Sequence, residues 1–224
     1  MTDAVKTNSV VSMLGSPRSI RWAIYILGLV PAAWVFYAGF TDHLGADPVR
    51  ALERTLGLWS LRFIVTGLCV TPLRRLGGPS LIAYRRALGL VAFYYAALHL
   101  SAYLWFDQGF DFAAIWKDIL KRPYITVGMA AFVVLVPLVA TSNNFMIRRL
   151  GKTWTRLHRW VYVAAALGAV HFIMVLKTWQ AEPLMYAALV AVLLGFRLFV
   201  SLKKRVARGG NTAMRKQQGA AAEL

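Results

Sequence analysis

The sequence predicts an all-α integral membrane protein with six transmembrane helices. Hydrophobic residues make up 58% of its 224 residues, and its mean hydropathy of +0.54 exceeds that of ordinary soluble domains. Six apolar stretches have lengths suited to a hydrocarbon core about 30 Å thick. The basic residues cluster between these stretches, which is typical of membrane topology.

The predicted spans alternate with short polar connections. The first span is too long for the core of a signal peptide, and no A-x-A cleavage pattern follows it, so we expect it to remain as a helix. Pro72 and the Gly-Gly-Pro at 77–79 are expected to stop the second span. The six spans are 20–40, 55–70, 87–106, 124–140, 157–176 and 184–200.

The distribution of charge predicts the orientation of the spans. The chain has 26 Lys and Arg residues against 9 Asp and Glu, a formal charge of +17. In a soluble protein this excess would suggest nucleic acid, but here it follows the loops on one side, so nucleic acid is not an expected partner. Both termini are predicted to be cytosolic, and the outer loop 107–122 departs from the rule with Lys117, Lys121 and Arg122. The outer loops hold these acidic residues: Asp42, Asp47, Glu53, Asp107, Asp111, Asp118 and Glu182.

The same pattern divides the chain into three parts. A cytosolic tail is expected at 1–19, a six-helix domain at 20–202, and a basic, disordered cytosolic tail at 203–224. Tryptophans fall near the ends of the spans, where interfacial aromatic side chains concentrate. They are Trp22, Trp105, Trp154 and Trp179.

Two histidines lie at matching depth in different spans. His99 is about twelve residues into the third span and His171 about fourteen into the fifth, so at ~1.5 Å per residue both lie roughly 18–21 Å from the cytosolic boundary. Ionisable side chains at membrane depth are costly and indicate function. We interpret the pair as axial ligands of a haem held between the third and fifth helices, in the outer half of the membrane. The competing interpretation is two core histidines that hydrogen-bond to neighbouring helices.

His158, at the cytosolic end of the fifth span, leaves several interpretations open. At equal depth on the third span stand Arg85 and Arg86, where a second bis-histidine haem would need a histidine. In an ideal helix the separation of His158 from His171 leaves an angular offset of about 140°, which counts against haems stacked along one face. Three interpretations of His158 therefore stay open. It could bind a second haem, with Arg85 or no protein ligand on the opposite face, or another cofactor, or it could contact a haem propionate.

Arginines inside or beside the spans need partners. Arg62 lies within the second span, where an unpaired charge costs ~2.5–3.5 kcal/mol on insertion scales. A haem propionate, snorkelling to the interface, or an ion pair with Asp47 or Glu53 would each account for it. Arg86 is a second candidate for a propionate partner. Arg197, close to the inner end of the last span, is expected to snorkel to the interface.

Several classes of function are disfavoured by what the sequence lacks. It contains no G-x-G-x-x-G after a strand, no P-loop and no C-x-x-C, and its polar segments are too short for a nicotinamide or flavin dehydrogenase domain. Cys69 is the single cysteine, so no intramolecular disulfide is expected and a thiolate metal site is disfavoured. No catalytic residue is assigned. Electrons would come from another protein or from quinol and leave to a separate outer acceptor.

Several segments together resemble a known bacterial family. They are RPYITVG, TS followed by RRLGKTW, LHRWVYV with a histidine thirteen residues later, RRALGL, AFYYAALH and TPLRRLG. In these segments the chain resembles the MsrQ (YedZ) family over about 20–200, within the ferric-reductase-like transmembrane superfamily that also includes NADPH oxidases. By position, His99, His158 and His171 match the family's histidines, and Arg85 stands where the oxidase relatives place a fourth histidine.

The resemblance implies a haem b subunit of a periplasmic methionine sulfoxide reductase system, in the bacterial inner membrane. Its partner would be an MsrP-like molybdopterin enzyme in the periplasm that reduces methionine sulfoxide in oxidised proteins. Its electron donor would be quinol or a cytosolic flavin reductase. FMN is implied as a further cofactor by the resemblance alone.

Two other functions stay open. One is a metal-ion or oxygen reductase of the same superfamily, against which the lack of a fused dehydrogenase domain counts. The other is a haem-free transporter or scaffold whose histidines pack or relay protons, although no inverted repeat or pair of broken helices is evident. A short repeat is present, since RRLG occurs at 74–77 and at 148–151, each time before a histidine-bearing span. It suggests two related helix pairs.

Overall fold

The computed structural model describes residues 16–176 and 180–222. Over this part of the chain the regular elements are helical, and no strand occurs. Trp179, expected near a span end, lies outside the described residues. The α-helices are α1 Pro17–Phe40, α2 Pro48–Arg75, α3 Arg85–Ala102, α4 Phe112–Lys121, α5 Pro123–Ala140, α6 Asn144–Leu150, α7 Lys152–Leu157, α8 Val161–Val175 and α9 Ala181–Ala222. Shorter elements are 3₁₀-helices at Ile82–Tyr84 and His158–Trp160 and a π-helical turn at Tyr103–Asp107.

Six helical segments of the described chain are long and apolar enough to cross a membrane. This confirms the predicted fold class, an all-α multi-pass membrane protein. The segments are Pro17–Phe40, Pro48–Arg75, Ile82–Asp107, Pro123–Ala140, Lys152–Val175 and Ala181–Lys203.

α2 extends beyond the predicted second span at both ends. At its start, the Asp47 side chain accepts a hydrogen bond of 3.2 Å from the backbone N–H of Arg50 and so caps the helix. Near its end, Pro72 lies inside the helix, so the expectation that it stops the span is wrong. Proline leaves the carbonyl four residues earlier, that of Leu68, without its helical donor. Arg197 supplies a donor instead, at 2.9 Å.

Tyr95 fastens α3 to α1. Its side chain is fully buried, and its hydroxyl accepts a 2.9 Å bond from the backbone N–H of Ala32 and donates a 2.7 Å bond to the carbonyl of Gly28. In a regular helix those two backbone groups would bond to each other. The hydroxyl is therefore inserted into the helical ladder, next to Pro31, where α1 is already perturbed.

Two hydrophobic clusters share α2 and α3, which form the centre of the bundle. The first joins them to α1 through Ala32, Val35, Leu52, Leu56, Val91, Tyr95 and Ala102. The second joins them to α5, α8 and α9, with Leu61, Leu68, Ala92, Leu135, Ala165, Phe172 and Val190 among its members. The second cluster brings α3 and α8, which carry His99 and His171, into one core.

Both copies of the RRLG repeat end a helix. In the first copy α2 ends and Gly77 follows with a φ of +88°; in the second α6 ends and Gly151 follows with a φ of +48°. Positive φ is adopted by glycine without the steric cost that a side chain brings, and glycine commonly ends helices for this reason. The repeat therefore has a local cause, the end of a helix at a glycine with positive φ before each histidine-bearing span.

The last helix differs from the expectation drawn from composition. α9 runs from Ala181 to Ala222, so the backbone of the basic tail is helical where disorder was expected. The part of α9 that forms the sixth span ends at Lys203. The division into domains at 19 and 202 stays a prediction.

Candidate functional site

His99 on α3 and His171 on α8 lie side by side. Their ring centres are 6.1 Å apart and their planes are inclined by 73°. The structure thus brings together the two histidines that were predicted to share one depth. Metal–imidazole bonds measure about 2 Å, so two imidazoles that share one metal have ring centres roughly 6 Å apart. The observed separation fits a single metal between the rings.

Each of these imidazoles is held by a backbone carbonyl of a neighbouring helix. Nδ1 of His99 lies 2.9 Å from the carbonyl oxygen of Glu53 on α2, and Nδ1 of His171 lies 2.7 Å from that of Tyr124 on α5. A carbonyl can only accept a hydrogen bond, so both Nδ1 atoms carry the proton. Nε2 is left with a free lone pair in each neutral ring, which is the arrangement of histidine ligands to metals.

Two glycines, which sequence reasoning did not single out, pack against the rings. A Cβ added to Gly57 would lie 3.2 Å from Nδ1 of His99, and one added to Gly128 would lie 2.8 Å from Nδ1 and Cε1 of His171. Each glycine follows the residue with the accepting carbonyl by four positions. A weak signal was present in the sequence, since Gly57 precedes His99 by 42 positions and Gly128 precedes His171 by 43.

The residues around the pair fit a haem. A haem iron takes histidine nitrogens as protein ligands, and the two neutral imidazoles would offer one Nε2 each. Gly57 and Gly128 leave the space that the two rings occupy, where an added Cβ would lie 3.2 Å or less from a ring atom. Oε1 of Glu53 is buried without a hydrogen-bond partner in the described chain, and a buried polar atom of this kind normally has one. A bound group with a donor could satisfy it.

His158 lies away from this pair, in the 3₁₀-helix between α7 and α8. Its ring stacks on Trp154 with centres 3.8 Å apart. Nδ1 lies 3.1 Å from the Trp154 carbonyl and Nε2 3.2 Å from the hydroxyl of Ser142. Because the 3₁₀ turn interrupts the fifth span, the 140° offset from His171 calculated for an ideal helix does not apply. Arg85 is not among these contacts, and a second haem stays a prediction.

Arg62 has protein partners from the last span. Its Nε donates a 2.9 Å hydrogen bond to the Tyr186 hydroxyl, and its NH2 group lies 3.7 Å from a carboxylate oxygen of Glu182. Its guanidinium also lies 4.8 Å from the centre of the Trp59 ring. Arg62 therefore forms its ion pair with Glu182, and the interpretation that it pairs with Asp47 or Glu53 is wrong. A propionate partnership for Arg62 stays a prediction.

The other two arginines point to protein atoms as well. Arg86 donates a 2.6 Å hydrogen bond to the side-chain oxygen of Asn144. Arg197 donates at 2.6 Å to the Tyr162 hydroxyl and at 2.9 Å to the Leu68 carbonyl. Arg197 is thus turned into the bundle, and the expectation that it snorkels is wrong, because the carbonyl freed by proline offers it an acceptor inside.

The comparison with family models defines the class of protein. Residues 55–169, just over half of the chain, match the model described as "Ferric reductase like transmembrane component". The matched stretch contains His99, His158 and both ring-contacting glycines, and ends just before His171. The chain, with six candidate spans and a histidine pair between two of them, is thus a ferric-reductase-like transmembrane component.

The similarity to individual relatives is more specific. The "Protein-methionine-sulfoxide reductase heme-binding subunit MsrQ" of Brucella anthropi is 55% identical over 196 residues, covering 85% of this chain and 89% of the relative. Proteins of the same name from Brucella ovis and Brucella canis are each 54% identical over 186 residues, covering 82% of this chain and 84% of the relative. The chain belongs to the MsrQ family.

Proposed function

We propose that the protein is a haem b electron carrier of the inner membrane, passing electrons from quinol or a cytosolic flavin reductase to a periplasmic enzyme. That acceptor is an MsrP-like molybdopterin enzyme, which reduces methionine sulfoxide in proteins. The observation that carries the proposal is the His99–His171 pair, with ring centres 6.1 Å apart and each Nδ1 fixed by a carbonyl. The name shared by the relatives, a heme-binding subunit of a methionine sulfoxide reductase, supports the choice of acceptor.

The position of the pair supports electron delivery to the periplasm. Both accepting carbonyls lie near the N-terminal ends of their helices, that of Glu53 in the second turn of α2 and that of Tyr124 in the first turn of α5. The acidic residues of the described chain lie at this same end of the spans, and the short basic loops lie at the other. We assign the acidic end to the periplasm and both termini to the cytosol, since Lys and Arg concentrate in cytosolic loops.

The chain's own residues prepare the site for electron transfer. A haem supplies one-electron oxidation and reduction when it is bound. The carbonyls of Glu53 and Tyr124 fix the tautomer of the imidazoles and raise the basicity of Nε2. Both histidines are partly buried between their helices, and the bond from each Nδ1 to a carbonyl holds its ring in one orientation.

Further parts of the proposal concern groups around this centre. Arg62 and Arg86 are proposed propionate partners, with Arg62 at the periplasmic end and Arg86 at the cytosolic end. His158, with Arg85 opposite or without a protein ligand opposite, is the proposed position of a second haem or another cofactor. FMN is included because of the family resemblance, and no position in this chain is assigned to it.

The ligand assignment is tested by the optical spectrum of purified protein. The reduced protein should show the α-band of haem b, and His99→Ala and His171→Ala should each remove most of it. His43→Ala is the matched control, because this histidine is exposed in a loop and bonds to Thr41. Full haem absorbance in both spanning-helix variants would show that the pair is not the ligand set.

The choice of acceptor needs a separate test. Reduced protein is mixed with a purified MsrP-like enzyme and a methionine sulfoxide substrate, and the decay of the α-band is followed. Rapid oxidation that depends on both additions is expected. Oxidation by ferric iron or oxygen, at a rate that the partner enzyme does not change, would favour the alternative reductase instead.

A further inference from the structure

We propose that Gly57 and Gly128 are positioning residues that set the orientation of the two imidazoles, as two copies of one device. The inference rests on the proposed function, since it concerns the ligands of the haem. The device is a helix carbonyl that serves two donors: its own backbone partner four residues later, and the Nδ1–H of a histidine on the next helix. The residue four positions later is the glycine.

The geometry explains why glycine is needed in the device. In an α-helix the N–H of Gly57 points at the carbonyl of Glu53, and the N–H of Gly128 points at that of Tyr124. A carbonyl oxygen has a second lone pair, which can accept one more hydrogen bond. A side chain on the residue that follows by four positions projects back over this turn of the helix. Its absence lets an imidazole edge reach the oxygen at 2.9 Å in one copy and 2.7 Å in the other.

The two copies differ in clearance. At Gly128 an added Cβ would lie 2.8 Å from Nδ1 and Cε1 of His171 and 3.3 Å from Nε2, and real Cβ atoms essentially never come closer than 3.0 Å to a neighbour. At Gly57 it would lie 3.2 Å from Nδ1 of His99, a distance that a shift of a few tenths of an ångström relieves. Alanine at Gly128 must therefore displace its ring, whereas alanine at Gly57 only tilts its ring.

Helix stability acts in the opposite direction. Alanine is a better helix former than glycine by roughly 1 kcal/mol at an interior position. A loss of haem in a Gly→Ala variant can therefore not be attributed to a weakened helix. Two other glycines serve as matched controls: Gly67 shares α2 with Gly57, and Gly168 shares α8 with His171. A Cβ at Gly67 would lie 4.0 Å from Leu88 and one at Gly168 would lie 3.8 Å from Leu61, which are ordinary contact distances.

The experiment compares four alanine variants of the full chain: Gly57→Ala, Gly128→Ala, Gly67→Ala and Gly168→Ala. Each is purified, its haem-to-protein ratio is measured, and the spin state of the ferric haem is read by electron paramagnetic resonance. The midpoint potential is found by titration. Gly128→Ala should weaken haem binding by roughly 10- to 100-fold, the usual effect of losing a residue that orients a metal ligand, and should move the remaining haem from low to high spin.

Gly57→Ala should keep its haem and its low-spin state, with altered g-values and a shifted potential. Both controls should match the unsubstituted protein. The inference is wrong if Gly128→Ala cannot be told from Gly168→Ala. If Gly128→Ala does not accumulate, Gly57→Ala decides, and identity with Gly67→Ala in g-values and potential overturns the proposal. Retention of haem in His99→Ala and His171→Ala is a different outcome, which overturns the proposed function instead.

Discussion

The guanidinium of Arg197 on α9 donates a 2.9 Å hydrogen bond to the carbonyl oxygen of Leu68 on α2. That carbonyl has no helical donor because the residue four positions later is Pro72, which lacks an N–H. In lipid an unsatisfied backbone group costs several kcal/mol, so a proline in a membrane helix is tolerated where another group supplies the missing bond. Arg197 thus supplies the donor that Pro72 cannot, and the carbonyl that Pro72 leaves free gives Arg197 an acceptor inside the bundle.

The first prediction is that Arg197 and Pro72 are energetically coupled. Arg197→Met removes the donor to Leu68, and because hydrogen bonds to charged groups contribute about 1.5–3 kcal/mol, we expect a loss of that size in the free energy of unfolding. Pro72→Ala restores an N–H that can satisfy the same carbonyl. In the Pro72→Ala background, the loss from Arg197→Met should therefore be smaller. Denaturant unfolding in detergent micelles measures both losses.

The bond from Arg197 to the Tyr162 hydroxyl is lost in both backgrounds, so it cancels in this double-mutant cycle. An equal loss in the two backgrounds would mean that the Leu68 carbonyl is satisfied in another way. The inward orientation of Arg197 would then need a different cause.

The second prediction concerns the hydroxyl of Tyr95. Tyr95→Phe leaves the N–H of Ala32 and the carbonyl of Gly28 held apart, with no donor or acceptor between them. Leaving buried backbone groups unsatisfied costs about 1–3 kcal/mol, and we expect a loss of this size in the free energy of unfolding. Tyr94→Phe is the control, because that side chain is partly exposed and surface changes stay within about 0.5 kcal/mol. Equal stability of the two variants would show that α1 closes its ladder without the hydroxyl.

The meeting of His99 and His171 could be predicted from the sequence because a helix rises by a constant amount per residue. Counting residues from the span ends is therefore enough to place both rings at one level. The direction in which a side chain points around the helix axis is harder to predict over many residues, because it depends on the helix staying regular. The offset between His158 and His171 assumes one regular helix, and the 3₁₀ turn at His158–Trp160 makes that assumption wrong.

The partners of polar groups could not be predicted in the same way. Arg62 pairs with Glu182 on α9 rather than with the acidic residues nearest in sequence, because packing of α9 against α2 decides which carboxylate is close. The similar spacing of Gly57 and Gly128 from the two histidines is too weak a signal to single them out, since glycine in an apolar span has many uses. Only the position of a histidine on the neighbouring helix shows that a side chain there would collide.

The third prediction separates Arg62 from Arg54, which contact the same carboxylate of Glu182. If Arg62 also faces a haem propionate, Arg62→Gln removes a positive charge that opposes oxidation, so the midpoint potential falls. Unit charges about 10 Å apart interact by roughly 1–2 kcal/mol at an effective dielectric constant of 20, which corresponds to about 40–90 mV for one electron. Redox titration should show a smaller shift for Arg54→Gln. Equal shifts would assign the effect to the shared Glu182 and leave Arg62 without a special role.

The fourth prediction is that one face of α4 lies in the lipid interface. Phe112, Trp116 and Leu120 recur every four residues and are exposed, while Ile115 on another face is buried against the bundle and Lys117 is turned to a third. Since α4 connects two spans at one end, its exposed apolar face continues the lipid-facing surface, and its lysines reach water.

In a Cys69→Ala background, which removes the single cysteine, spin labels at Trp116→Cys and Lys117→Cys report the difference. In liposomes the first label should collide more with oxygen and the second more with a water-soluble nickel reagent. The same collision ratio at both positions would place α4 wholly in water or wholly against protein, and this face would need another partner.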